Sequence, residues 1–354
     1  MASLYIISTE AYSGKTGLCL SLGLELKERG LKIGYMKPIG TNPGRIDNKV
    51  VDLDAYYVLK RLDLEDSIED VSPISLTLKF MHEHLKGEDI GALSKIKEAY
   101  SRIATDKEFV LLENGADVNE GRFLNAAAFQ IAGALDARVL LLAKFRSELV
   151  IDDILEARDL TGDRFIGVIF NQVANSQRPD VDMIISYLEA KGIKSYGILP
   201  RDRTLMSVTV GEIADHLGGQ ILTAPDKKNE LVENFMVGAM GQEKALRFFQ
   251  RTINKAVITG GDRADVQLAA LETPTKALIL TGNLHPSPIV MARAEELGIP
   301  MILVDLDTLA AVEKTDELVG QVRIHQAQKV HRFYELVKTN INLDLLFKDA
   351  KVID

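Results

Sequence analysis

The 354 residues are 46% apolar and 26% charged, ordinary for a globular chain and long enough for two domains with separate cores. A formal charge of −9 excludes the broadly basic surface that a phosphate backbone requires, so no nucleic-acid partner is expected. A single cysteine, Cys19, excludes an intrachain disulfide, and no apolar run reaches the roughly 18–20 residues that cross a bilayer, so no membrane partner is expected. Cys19 lies among Leu18, Leu20 and Leu22 and reads as a core thiol. The opening Met1-Ala2-Ser3-Leu4-Tyr5 carries no basic leader, and the expectation is a cytoplasmic protein.

In chain order, short β-branched runs predict strands at residues 4–8, 33–36, 109–112, 139–142, 165–170 and, more briefly, 197–199. Helical periodicity falls between them at 18–29, 90–104, 124–135, 150–160 and 181–191. Alternating strands and helices with nearly continuous apolar strands predict an α/β fold: a parallel sheet with helices on both faces. A second, smaller α/β region starts near Pro200, with a helix at 210–217 ending at Gly218-Gly219. It holds a short repeat, Ala256-Val257-Ile258-Thr259-Gly260 and Ala277-Leu278-Ile279-Leu280-Thr281-Gly282, each followed by a helical pattern, and a third strand at 301–304. From Val322 onward Val330, Phe333, Leu336 and Val337 keep helical spacing, which predicts a helical C-terminal tail. The expected domains are residues 1–205, 206–320 and the tail 321–354.

The first strand runs into Ser13-Gly14-Lys15-Thr16-Gly17 and then a helix, the context of a phosphate-binding P-loop. Ser13, Gly14 and Gly17 allow close backbone approach, Lys15 supplies charge to β/γ oxygens, and Thr16 offers a hydroxyl to Mg²⁺. Thr9 stands where the consensus P-loop begins with glycine. Glu113 closes the strand at 109–112, where a carboxylate can hold Mg²⁺ or its waters, and Asp54, near Asp52, opens a helical segment after the loop 40–51. Lys37, before Pro38, ends the second strand and can meet an attacking group or terminal phosphate; otherwise it is a surface lysine. In the second region Gly260-Gly261-Asp262-Arg263 reads either as an anion-accommodating turn, a second ligand site, or as a turn with Asp262 and Arg263 paired.

The set Thr9, Gly14-Lys15-Thr16, Lys37-Pro38-Ile39, Asp54-Ala55, Glu113-Asn114-Gly115-Ala116, Asn171 and Gly197-Ile198-Leu199-Pro200 resembles the dethiobiotin synthetase-like branch of P-loop proteins. The resemblance implies ATP and Mg²⁺ as cofactors, bound through Lys15, Thr16, Asp54 and Glu113, with Asn171 reading the adenine and Lys37 handling a carbamate; Lys15 and Lys37 are then the catalytic candidates. Glu10-Ala11-Tyr12 replaces the Thr-Asp-Thr common in that family, and Glu113-Asn114-Gly115-Ala116-Asp117 replaces Glu-Gly-Ala-Gly-Gly. Thr259-Gly260-Gly261-Asp262-Arg263-Ala264-Asp265, with Ser207-Val208-Thr209-Val210-Gly211-Glu212-Ile213 and Leu280-Thr281-Gly282-Asn283, is similar to the DRTGG domain. Both domains together resemble the N-terminal regulatory region of long phosphate acetyltransferases, and no segment of these 354 residues resembles the acetyltransferase catalytic domain. The expectation is a Mg-ATP-binding regulatory or scaffold protein, with a protein partner and a homodimer as family-based expectations. The alternative is an ATP-dependent synthetase that activates a small carboxylate or carbamate; whether the chain is an enzyme is left open by its residues.

Overall fold

The computed structural model describes residues 1–87 and 90–352, so the last two residues of the predicted tail lie outside the described residues. It divides into two compact units: Met1–Arg201 together with Arg323–Asp354, and Asp202–Val322.

The first unit holds a six-stranded parallel sheet. Its strands are β1 (Ala2–Ser8), β2 (Ile33–Met36), β3 (Phe109–Glu113), β4 (Arg138–Lys144), β5 (Phe165–Val173) and β6 (Ser195–Pro200), in spatial order β6-β5-β4-β1-β3-β2. Leu4, Ile6, Val110, Leu112, Leu140 and Leu142 are fully buried, as expected of strands covered on both faces. The covering helices include α1 (Lys15–Glu28), α2 (Leu53–Arg61), α3 (Ala92–Ile103), α4 (Ala128–Leu135), α5 (Val150–Thr161) and α6 (Arg178–Ala190). β1 is central: β3 joins it on one side and β4 on the other, so strand order reverses there. In open α/β sheets the crevice at the carboxyl end of such a reversal is where ligands bind.

The loop predicted at 40–51 instead contains a hairpin, strands Pro43–Ile46 and Lys49–Asp52, paired antiparallel through left-handed Asp47 and Asn48. Asp and Asn tolerate that conformation better than other side-chain-bearing residues, and Asp47-Asn48 is the only punctuation that marks the turn. The helix predicted at 124–135 shortens to α4, preceded by a single 3₁₀ turn, Arg122–Leu124.

α1 is buried nearly all round: Leu18, Cys19, Leu20, Leu22 and Leu26 lie in the core, together with Gly17, Ser21 and Gly23. A helix apolar on every side needs cover on every side. The sheet covers one side, and the predicted tail covers another. That tail forms two helices of this unit, Ala327–Asn340 and Leu343–Asp349, and Val330, Phe333 and Val337 of the first are buried. Tyr334 donates to Glu25 Oε2 at 3.1 Å, and Lys338 lies 3.3 Å from Glu28, tying the returning helix to α1.

The second unit is a smaller α/β layer. The five strands of its main sheet are β7 (Gln220–Ile221), β8 (Asn234–Val237), β9 (Lys255–Gly260), β10 (Thr275–Thr281) and β11 (Met301–Leu303), in the order β7-β11-β10-β9-β8, with only β7 antiparallel. Alternation divides the repeat between two faces. Ala256, Ile258, Ala277, Ile279 and Ile302 pack with α7 (Val210–Leu217), whereas Val257, Leu278, Leu280 and Met301 pack with α8 (Gln242–Phe249) and α9 (Ala264–Leu271). Among the described residues, no helix is long and apolar enough to cross a membrane.

Candidate functional site

The connection from β1 to α1 is the turn where the sequence places the phosphate cradle. Gly14 caps α1 with a left-handed backbone (φ +99°), and a Cβ there would lie 2.8 Å from Asn171 Nδ2, so only glycine fits both demands. The first backbone bond of the helix runs from Leu18 N–H to the Gly14 carbonyl at 3.0 Å. The amides of Lys15, Thr16 and Gly17 therefore stand ahead of the helical ladder, at the positive end of its dipole. No side chain caps that end, and the Ser13 hydroxyl is buried without a hydrogen-bond partner. Uncapped amides and an orphaned hydroxyl, converging on one turn, fit an anion of several oxygens.

Lys15 is 4% exposed and folds back into the loop, where Nζ donates to Ser8 Oγ at 2.7 Å and to the Ala116 carbonyl at 2.5 Å. Burial pushes its ammonium down to about 8, with the Glu113 charge opposing. Thr16 Oγ1 donates to Glu113 Oε1 at 2.6 Å, and the Tyr35 hydroxyl donates to the other oxygen at 2.7 Å. Burial raises the Glu113 carboxyl above the usual carboxylate range against the pull of Lys37 and these two hydroxyls. Thr16 and Glu113, expected together from sequence, are thus in contact at the ends of α1 and β3.

Lys37, 1% exposed, is no surface lysine. Its Nζ lies 3.0 Å from Asp52 Oδ1 and 3.1 Å from Asp54 Oδ2. Burial alone would lower its pKa, but Asp54, Glu113 and Asp52 outweigh it and hold the ammonium charged. Asp52 caps α2 through the Ala55 amide at 2.8 Å and accepts the Asn42 amide at 2.8 Å. Asp54 is the more heavily loaded. Asn42 Nδ2 donates at 3.0 Å, Arg323 Nη1 donates to both oxygens at 2.8 and 2.7 Å, and His325 Nε2 lies 3.0 Å from Oδ1. Burial works to raise the Asp54 pKa, yet the His325 hydrogen bond and the Lys37 and Arg323 charges hold it well below the usual range.

Asn171 Nδ2 donates to the Ser13 carbonyl at 2.7 Å, which places the expected adenine reader against the P-loop and gives it a part in holding that turn. Among the described residues, no group of three or more His, Cys, Asp or Glu side chains is arranged to hold a metal. The expected metal residues, Thr16, Asp54 and Glu113, are one hydroxyl and two carboxylates. Such a set suits Mg²⁺, which keeps several waters and leans on one or two carboxylates plus phosphate oxygens.

Sequence reasoning missed Tyr35, Asn42, Arg323 and His325. Tyr35 sits inside an apolar strand, where its hydroxyl is invisible to periodicity. Arg323 and His325 lie some 270 residues beyond Asp54, and no local spacing could join them.

In the second unit, Gly260 ends β9, and Gly261, Asp262 and Arg263 form the loop from it to α9. Arg263 pairs with Asp265 at 3.1 Å and donates to the Met240 carbonyl at 3.1 Å, so the Asp262–Arg263 pairing is replaced by one two residues on. Gln267 Nε2 donates to the Gly260 and Gly261 carbonyls at 2.8 and 3.0 Å, and the Gly261 amide bonds Thr281 O at 3.2 Å. A Cβ at Gly261 would fall 1.6 Å from the Leu284 carbonyl oxygen, so this glycine admits the neighbouring loop.

Comparison with known proteins gives two family matches: an AAA domain over residues 2–209 and a DRTGG domain over residues 212–318. The phosphate acetyltransferase of Synechocystis sp. is 27% identical over 375 residues, covering 99% of this chain and 52% of its own length. The ATP-dependent dethiobiotin synthetase BioD of Methanococcus vannielii is 26% identical over 203 residues, covering 55% of this chain and 88% of its own. The chain thus spans about half the length of the acetyltransferases it matches. Among solved structures, the CBS and DRTGG domains of the Clostridium perfringens pyrophosphatase regulatory region, complexed with diadenosine tetraphosphate, align at 19% identity. That alignment covers 41% of this chain and 71% of the other, with a TM-score of 0.30, an overlap too slight to bear on ligand.

Proposed function

Because the chain belongs to the AAA domain family, by a match over residues 2–209, we propose that its first unit binds Mg-ATP and acts as a nucleotide-responsive regulatory or scaffold module. The module is of the kind expected at the front of phosphate acetyltransferases, relatives whose alignment runs through the DRTGG domain as well. The carrying observation is the convergence of Lys15, Thr16, Lys37, Asp54 and Glu113 around an uncapped helix start.

Each residue has a role. The free amides of α1 would cradle the β-phosphate, and Lys15 would exchange Ser8 and the Ala116 carbonyl for β/γ oxygens. An anion arriving there offsets the desolvation that holds the Lys15 ammonium down. Thr16, with Asp54 and Glu113 directly or through water, would hold Mg²⁺, which when bound neutralises charge on the β and γ oxygens. Tyr35 orients Glu113, and Asp52 orients Lys37. Asn171 holds the P-loop turn through the Ser13 carbonyl and would, by the family resemblance, read the base.

Regulation is favoured over synthesis by the state of Lys37. As a synthetase group it would have to meet a carboxylate or carbamate, yet it is buried between two aspartates, and breaking such a cluster costs about 3–5 kcal/mol. Glu10 points the same way: it pairs with Lys144 at 3.2 Å and Arg146 at 2.5 Å, taking two cations that could otherwise greet an acidic substrate.

The test is ADP release with Mg-ATP and a panel of small carboxylic acids and amines. Tight binding with negligible turnover across the panel is the expected result. Stoichiometric ADP formation that depends on one added acid or amine and vanishes in Lys15→Ala would replace regulation with synthetase action.

A further inference from the structure

We propose that Arg323 is a nucleotide-binding residue supplied in cis from the far end of the first unit, and that its guanidinium exchanges the Asp54 carboxylate for the terminal phosphate of the nucleotide. This rests on the Mg-nucleotide reading above.

The argument begins with the coordination of Asp54. A carboxylate offers about four lone-pair sites. Here Lys37, Asn42, Arg323 and His325 make five contacts of 2.7–3.1 Å with its two oxygens, so the group is saturated. A carboxylate so occupied can serve a metal only by releasing a donor. Lys37 is sealed in place by Asp52, and Asn42 belongs to the loop whose amide Asp52 fixes. Of the other two donors, Arg323 is 30% exposed and His325 28%, against 1% for Lys37; the His325 ring is held against Tyr57 at 4.8 Å, whereas Arg323 stands at the start of the strap that re-enters the first unit.

Its surroundings indicate where it would go. The guanidinium carbon sits 5.4 Å from the centre of the Tyr12 ring, and Tyr12 belongs to the P-loop turn, with a left-handed φ of +53°. The cation is therefore held between the P-loop turn and the carboxylate expected at the metal. Were Mg²⁺ held there with a nucleotide, it would neutralise charge on the phosphate chain, and a cation beside its carboxylate would lie within reach of the terminal phosphate. A planar fork of donors matches phosphate as well as it matches carboxylate. Backing from behind is firm. Ile324 and Phe333 pack against Gly17, where a Cβ would lie 2.5 Å from Ile324 Cδ1 and 3.0 Å from Phe333 Cδ2, and Tyr57 stacks on His325 at 4.8 Å. The strap is seated, while the arginine head at its start faces the site.

Mere competition for Asp54 would give a different signature from phosphate binding. A competing arginine hinders Mg-ATP and Mg-ADP alike, whereas a group on the terminal phosphate favours ATP alone. The ratio of the two affinities therefore isolates the claim. Equilibrium titrations of the full chain with Mg-ATP and Mg-ADP are compared for wild type, Arg323→Ala and Arg323→Lys, with Lys15→Ala as the site control. The expected result is a loss of about tenfold to a hundredfold in Mg-ATP affinity relative to Mg-ADP in Arg323→Ala, the loss due to one charge-assisted hydrogen bond. Arg323→Lys should recover part of it. An unchanged ratio overturns the proposal, whether both affinities rise, fall or stay put, and retained Mg-ADP binding shows that the variant folds. If wild type binds neither nucleotide, or Lys15→Ala binds both as wild type does, the nucleotide reading fails first and this one with it.

Discussion

One residue, Ala116, has both of its main-chain polar groups held by ionisable side chains. Lys15 donates to its carbonyl, and its amide donates to Glu120 Oε2. Burial pushes the Glu120 carboxyl up to about 7, against the Ala116 hydrogen bond and the Lys15 and Lys37 charges. A carboxyl raised in the folded state above its ordinary 4.5 stabilises the fold fully below that value, and the contribution drains away as pH climbs through about 7. Urea midpoints should therefore fall between pH 5 and pH 8 by more in wild type than in Glu120→Gln, whose amide oxygen still accepts from Ala116. Parallel pH profiles would remove Glu120 as the source. At this scale the sequence exposes Lys15, Thr16, Asp54 and Glu113, because each stands at a fixed place beside a strand end or a helix start. It hides Glu120 and Tyr35, whose importance comes only from the low-dielectric surroundings that folding creates.

At the level of elements, α1 is readable as a helix but its neighbours are not. The apolar character of residues 18–22, broken only by Ser21, says that something covers both sides, and nothing local names the second cover. That cover is the helix Ala327–Asn340, packed through Phe333 on Gly17. Gly17→Ala should accordingly cost about 1–3 kcal/mol, the usual penalty for overpacking, with the loss of amide-exchange protection greatest across residues 327–340. Adding Ile324→Ala should restore most of it, since Ile324 Cδ1 is the nearest atom to the new methyl group. Loss spread evenly over the unit, unrelieved by the second change, would mean the helix is only loosely held. The strands of the second sheet show the same division. β9 and β10 announce themselves through an apolar run ending in Thr-Gly, whereas four-residue β8 and two-residue β7 acquire their identity from pairing.

For the whole molecule, the chain divides into two compact units, and the residues of the proposed nucleotide site all belong to the first. Calorimetric melting should then resolve two transitions. Mg-ATP at a hundredfold excess over its dissociation constant should stabilise only the one belonging to the first unit, by about 2.7 kcal/mol. A single transition, or equal shifts of two, would show that the units do not respond independently. Fold class and the existence of two α/β regions are legible because strand–helix alternation persists over long stretches. The return of residues 323–354 to the first unit is not legible, because joining segments so far apart in sequence is a matter of tertiary packing. The most direct test of the account is a calorimetric titration of the full chain with ATP, in Mg²⁺ and then in EDTA, for wild type and Lys15→Ala. Saturable binding that weakens without Mg²⁺ and drops on the order of a hundredfold in the variant is the predicted result, set by the charge-assisted bonds Lys15 contributes. No heat in wild type, or equal binding in the variant, would contradict it.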